Sequence, residues 1–245
     1  MTQEINTYLP TVGTTAVNLQ DSDAEKIYDF FQSIGGKRFL FVGDHGYIEF
    51  VPVKKAGNPL TRYGRQLILL FKHAIKTPIR PFYQKESFTP AKPIDTKEGT
   101  NDFFCQDRAK DQVIWEGKHI NILYPDNPIT HRHFLFATKK HRDSFKDITK
   151  EEFVEVIDLA RRVGNLFHGE NYLLCKTSFD AGQTVPHFHL HLIIAENRVE
   201  GIYGRLKIAM NIIFNMIPFF STRLRGEALL KNVEHYKGEL KCLNS

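Results

Sequence analysis

Three histidines, His187, His189 and His191, alternate along Val185-Pro186-His187-Phe188-His189-Leu190-His191-Leu192-Ile193-Ile194. Alternation with a period of two predicts a β-strand that projects all three imidazoles from one face. Imidazole is not a preferred strand residue, and it needs hydrogen-bond partners when buried. A sheet face bearing three of them therefore restricts both the fold and its use. The residues allow three readings. One ring can act as a nucleophile while its neighbours hold an anion. The rings can ligate a metal, since a strand presents H-x-H well. They can also be satisfied structural groups on a wet face.

The surrounding chain divides into three parts. Residues 1–100 read as an N-terminal α/β extension. A capping box, Ser22-Asp23-Ala24-Glu25, opens a helix with Ile27, Phe30, Phe31 and Ile34 at helical spacing. Phe39–Val42 and Tyr47–Val51 read as a hairpin around Gly43-Asp44-His45-Gly46. Residues 66–75 predict a second helix and residues 84–100 a linker. Residues 101–200 predict an α+β domain with an antiparallel sheet. Its strands are 113–115, 120–123, 134–136 and 172–175. Thr149-Lys150-Glu151-Glu152 caps one long helix whose apolar face is Phe153, Val156, Ile157, Ala160, Val163 and Phe167. Residues 201–245 read as a helical C-terminal extension. Within it, Leu206–Phe220 is apolar apart from Lys207, Asn211 and Asn215. That segment is too short to span a bilayer. It suits a helix buried in the core or a dimer contact, with an interfacial membrane helix as the alternative.

The net charge of +5 is unevenly placed. No acidic residue lies between Phe50 and Lys85, nor between Gly201 and Gly226, while both stretches carry Lys and Arg. Segments 50–85 and 201–226 suit a solvated basic face or contact with nucleic acid or an anionic membrane. Cys105, Cys175 and Cys242 have no C-x-x-C spacing, which argues against a disulfide framework and suits a reducing, cytoplasmic setting. Cys105 reads as a small buried thiol. The nearest carboxylate downstream of the histidines is Glu196. No metal and no cofactor are therefore assigned. A metal-dependent, cupin-like hydrolase with His187, His189 and His191 as ligands stays as the alternative, as does a non-catalytic nucleotide-binding module.

The stretch Ala181-Gly182-Gln183-Thr184-Val185-Pro186-His187-Phe188-His189-Leu190-His191 resembles the histidine triad family of nucleotide hydrolases and transferases. It is most similar to the fragile histidine triad, or diadenosine polyphosphate hydrolase, branch. The resemblance extends upstream through Pro128–His141, where His133 takes the place of a fourth phosphate-side histidine and His131 competes for it. Two positions depart from the pattern. Ala137-Thr138 stand where an Ile-Pro pair is usual, and Pro125 stands where an Asn often touches the ribose. The resemblance implies a homodimer acting on a nucleotide at its α-phosphate through a nucleotidyl-histidine. It implies His189 as nucleophile, with His187 and His191 assisting. Gly182, Gln183, Thr184 and His133 would bind the substrate.

Overall fold

The computed structural model describes residues 15–18, 24–25, 28–29, 39–44, 47–52, 102–143, 145–167, 171–176, 185–194, 210–211 and 223–244. Eight strands make one sheet: β1 (Thr15–Asn18), β2 (Phe39–Asp44), β3 (Tyr47–Pro52), β4 (Val113–Glu116), β5 (Ile120–Leu123), β6 (Arg132–Thr138), β7 (Asn171–Lys176) and β8 (His189–Ile194). Their order is β1-β3-β2-β7-β8-β6-β5-β4, and every pairing is antiparallel. The N-terminal strands thus continue the sheet of the histidine strand. β2 lies along the outer side of β7, from Leu40 opposite Lys176 to Asp44 opposite Tyr172.

The helices follow from their apolar spacing. A short helix, α1 (Asp107–Lys110), precedes the sheet of the second region. The long helix α2 runs Lys150–Leu166 and starts at the predicted capping box: Glu152 N–H donates to Thr149 Oγ1, and Thr149 N–H donates to the Glu152 carboxylate. Phe153, Val156, Ile157, Ala160 and Val163 are buried against Ile120, Ile122, Phe134, Phe136, Leu190, Leu192 and Ile194. Helix and sheet are also tied at the β4–β5 turn, where the Glu155 carboxylate accepts from His119 N–H at 3.0–3.1 Å. A side chain at Gly117 would collide with that carboxylate, so the turn requires glycine's small size.

α3 (Glu227–Glu239) and the 3-10 turn Leu240–Asn244 add Val233, Tyr236, Leu240 and Leu243 to the same core. The C-terminal part of the chain is therefore integral to the domain. Of the predicted apolar helix 206–220, only Met210 and Asn211 are described; both are helical and half-buried. The rest of that segment, most of the predicted helix at 22–34, the helix at 66–75 and the linker at 84–100 lie outside the described residues. Among the described residues, no helix is long and apolar enough to cross a membrane.

Candidate active site

Because Leu190, Leu192 and Ile194 face the helices, His189 and His191 occupy the opposite face of β8. On that face Ala137 of β6 is in register with His189, and Leu135 and Leu174 flank His191. Leu135 and Ala137 belong to a small separate cluster with Leu123 and Ala109, bordered by Phe103, Phe104 and Val113. The imidazoles therefore stand on an apolar floor, with His189 buried and His191 half-buried.

His187 departs from the expected three-residue strand face. β8 begins only at His189, because Pro186 cannot donate to a ladder and His187 N–H turns back to Val185 O at 2.8 Å. The His187 ring is fully buried. Its Nε2–H donates to Thr138 O at 2.8 Å, and its Nδ1 faces Asp102 Oδ2 at 3.3 Å and Cys105 Sγ at 3.7 Å. The His187 carbonyl in turn lies 2.8 Å from His189 Nδ1. A carbonyl only accepts, so His189 Nδ1 carries the proton and the neutral ring has its lone pair on Nε2. Phe104 packs against both rings, at centroid distances of 5.2 Å to His187 and 5.1 Å to His189.

One carboxylate organises the near side of this arrangement. Asp102 caps the 3-10 turn Phe103–Cys105 by accepting from Phe104 N–H at 2.8 Å through Oδ1. Its Oδ2 faces His187 and, at 2.7 Å, His141 Nδ1, while His141 Nε2 meets Asp143 Oδ1 at 2.6 Å. Burial alone would raise the Asp102 pKa. The hydrogen bond from Cys105, the His187 ring and Phe104 N–H together outweigh it and hold the carboxyl below its usual range. Burial, and then the adjacent Asp102, push the Cys105 thiol up to about 11, so it keeps its proton. Cys105 is exposed rather than the buried thiol its surroundings in the sequence suggested.

These groups could hold a metal. One donor atom each from Asp102, Cys105, His141 and His187 lies within 4.8 Å of the other three. A thiol, two imidazoles and a carboxylate suit a four-coordinate, borderline-soft ion such as zinc, which would displace the thiol proton. The expectation that no carboxylate approaches the histidines is corrected here: Asp102 and Asp143 are distant in sequence from His187 but arrive through the fold. The ligand set also differs from the H-x-H-x-H alternative, because only His187 of the three histidines takes part. Chelation is thus expected to leave the chemistry at His189 intact while lowering thermal stability if the cluster is loaded. The check is the zinc content of untreated protein together with melting and turnover after dialysis against EDTA. Loss of turnover in protein that remains folded would place the ion in the chemistry instead.

The third histidine has a different neighbour. His133 of β6 is 2% exposed; its Nε2 lies 3.0 Å from His191 Nδ1, and Ile129 N–H donates to its Nδ1 at 3.1 Å. His131 is exposed outside this site, its ring parallel to that of His235 at 6.4 Å. Burial, followed by the charge of His189, lowers the His133 pKa from 6.5 to about 3. Between those values the unfolded chain binds a proton that the folded protein refuses. Stability is therefore expected to fall as pH drops from about 6.5 towards 3. Urea unfolding across this range checks it, and His133→Phe should flatten that limb. Gly182, Gln183 and Thr184 lie outside the described residues. Asp102, Phe104, His141 and Asp143 were not singled out from sequence as functional; the only local signal was the N-cap propensity of Asp102 ahead of an aromatic pair.

Residues 106–198 match the protein family described as HIT domain. Over that span the chain resembles a HIT domain. Two curated relatives overlap it. The nitrilase and fragile histidine triad fusion protein NitFhit of Caenorhabditis elegans is 26% identical over 88 residues, 34% of this chain and 20% of that protein. A bis(5'-adenosyl)-triphosphatase of Dictyostelium discoideum is 34% identical over 71 residues, 27% of this chain and 48% of that protein. The chain thus spans less than half the length of either relative. Among solved structures, a uridylyltransferase mutant matches with TM-score 0.54 at 11% identity, over 94% of this chain and 78% of that one. The C. elegans NitFhit crystal structure matches with TM-score 0.40 at 18% identity, over 53% of this chain and 27% of that one. At such identities the likeness is one of fold. The width of the uridylyltransferase match takes in strands outside residues 106–198, in keeping with the continuous eight-stranded sheet.

Proposed function

We propose that this HIT domain is a nucleotide hydrolase or nucleotidyl transferase that works through a nucleotidyl-histidine on His189. The observation that carries the reading is the 2.8 Å contact between His189 Nδ1 and the His187 carbonyl, which leaves the lone pair on Nε2. A ring held in this way needs no base to activate it. In the first step Nε2 attacks the α-phosphorus, a P–N bond forms, and the bond to the leaving oxygen breaks with its electron pair. The leaving oxygen takes up a proton from solvent. In the second step water or another acceptor attacks phosphorus and gives up its proton to solvent, the P–N bond breaks with its electron pair going to Nε2, and His189 is regenerated. The name of the Dictyostelium discoideum relative, a bis(5'-adenosyl)-triphosphatase, supports a substrate of the dinucleoside polyphosphate class.

Two displacements at phosphorus restore its configuration, whereas direct attack by water inverts it. A substrate bearing a chiral α-phosphorothioate, hydrolysed in ¹⁸O-labelled water, distinguishes the two. Retention is expected, together with a mass increase of one nucleoside monophosphate on protein quenched in alkaline denaturant, where the P–N bond survives. Inversion would overturn the covalent route. Among the described residues, a second copy that joins this sheet has β1 or β4 to pair with, because β2 already lines the outer side of β7.

A further inference from the structure

We infer that buried His133 is a positioning residue that fixes the tautomer of His191 and holds it as an uncharged Nε2–H donor beside the nucleophile. The inference deepens the reading of the site as a nucleotidyl-transfer centre. It rests on the direction of two hydrogen bonds. A backbone N–H can only donate, so the 3.1 Å contact from Ile129 N–H makes His133 Nδ1 an acceptor. A neutral imidazole carries one proton, and with Nδ1 accepting that proton must be on Nε2. The alternative, with both ring nitrogens accepting, would require an imidazolate. His133 Nε2–H therefore donates to His191 Nδ1 across 3.0 Å. With Nδ1 accepting, the proton of neutral His191 is on Nε2. The polarity of one main-chain amide, four residues from His133, is relayed through two rings to the functional face.

The packing keeps the relay in place. His133 and His191 are diagonal neighbours on adjacent antiparallel strands, since His191 is in register with Leu135. Their rings are nearly parallel, 24° apart with centroids separated by 5.2 Å, and His133 is 2% exposed. Burial also opposes a charge on His133, which leaves the neutral donor as its stable form. A cationic His191 would point a second N–H at the His133 N–H, so the contact disfavours that state too. His191 thus acts on the ligand as a dipole, and not as an acid that cycles between two charges. His189 has the opposite tautomer, with its proton on Nδ1. Two imidazoles two residues apart on one strand face are set by different partners to complementary roles, one with a lone pair on Nε2 and one with a proton there.

The test reads the tautomer directly. In long-range ¹H–¹⁵N spectra of the full chain labelled at histidine, His191 is expected to show an unprotonated Nδ1 and a protonated Nε2 near neutral pH. His133→Phe keeps a buried ring but removes the donor. It should move His191 toward the Nδ1–H form and lower kcat by about tenfold to a hundredfold, the usual cost of losing a partner that orients a functional imidazole. KM should change much less. In His133→Gln the side-chain amide reaches the Nε2 position and donates, so both the tautomer and most of kcat should return. A wild-type His191 protonated at Nδ1 would overturn the inference without recourse to any variant. An unchanged tautomer in folded His133→Phe, or Gln performing no better than Phe, would also overturn it. The spectra need no substrate. They therefore judge the relay even where the chemistry at His189 proves different.

Discussion

His189→Ala is expected to lower turnover of a nucleotide substrate by on the order of 10⁴–10⁶-fold, the range seen when a covalent nucleophile is removed. The substitution leaves the fold largely alone. The His189 side chain donates to the His187 carbonyl, a main-chain group just ahead of β8. His187→Ala and His191→Ala should be milder, about 10²–10⁴-fold, because they remove orientation and polar assistance rather than the atom that attacks phosphorus. His187 has a further burden, since its ring fills a fully buried position and touches Asp102, Cys105 and Thr138. Its replacement should also lower the melting temperature, which His191→Ala should do less, being only half-buried. Single-turnover kinetics with mass spectrometry after an alkaline quench separate these outcomes. Equal, mild losses at all three positions, with no adduct at His189, would sink the assignment of the nucleophile.

The sequence made the face of the site legible but hid its depth. Alternation placed His189 and His191 correctly, because Leu190 and Leu192 have only one apolar side to turn to. The same pattern put His187 on that face as well. There the proline before it and the contact of Phe188 N–H with Arg142 O, at 2.5 Å, start the strand two residues later. The long helix and its capping box were readable because both signals are local. Asp102 and His141 were not, since they reach His187 only through tertiary folding, across sequence separations such as the 85 residues between Asp102 and His187, and Asp143 joins them through His141. Of the N-terminal strands, β2 and β3 were readable as a hairpin and β1 was not, and nothing in their spacing shows that β2 pairs with β7. That pairing is a long-range choice of sheet edge, and a period of two is the same at every edge.

The largest structural effect is expected from the C-terminal end. Removing residues 226–245 would uncover a core face to which Val233, Tyr236, Leu240 and Leu243 contribute, each at most 5% exposed. Tyr236 is the centre of this contact. Its ring stacks on Tyr124 at 5.2 Å and meets Phe134 edge-on at 5.0 Å, and its hydroxyl donates to His131 O at 3.0 Å. The Arg162 side chain also donates to Leu243 O, joining the final turn to α2. Truncating a buried aromatic to alanine costs about 3–5 kcal/mol. Tyr236→Ala should therefore consume a large part of the roughly 5–15 kcal/mol that holds a domain folded. Tyr236→Phe should cost only about 1 kcal/mol, because the Tyr124 hydroxyl still donates to the same His131 carbonyl at 3.1 Å. Urea unfolding of the two variants separates packing from hydrogen bonding. A chain ending at residue 225 should aggregate or unfold at ordinary temperature. If it instead stayed soluble with an unchanged melting point, the helix would be an appendage resting on a complete HIT domain rather than part of its core.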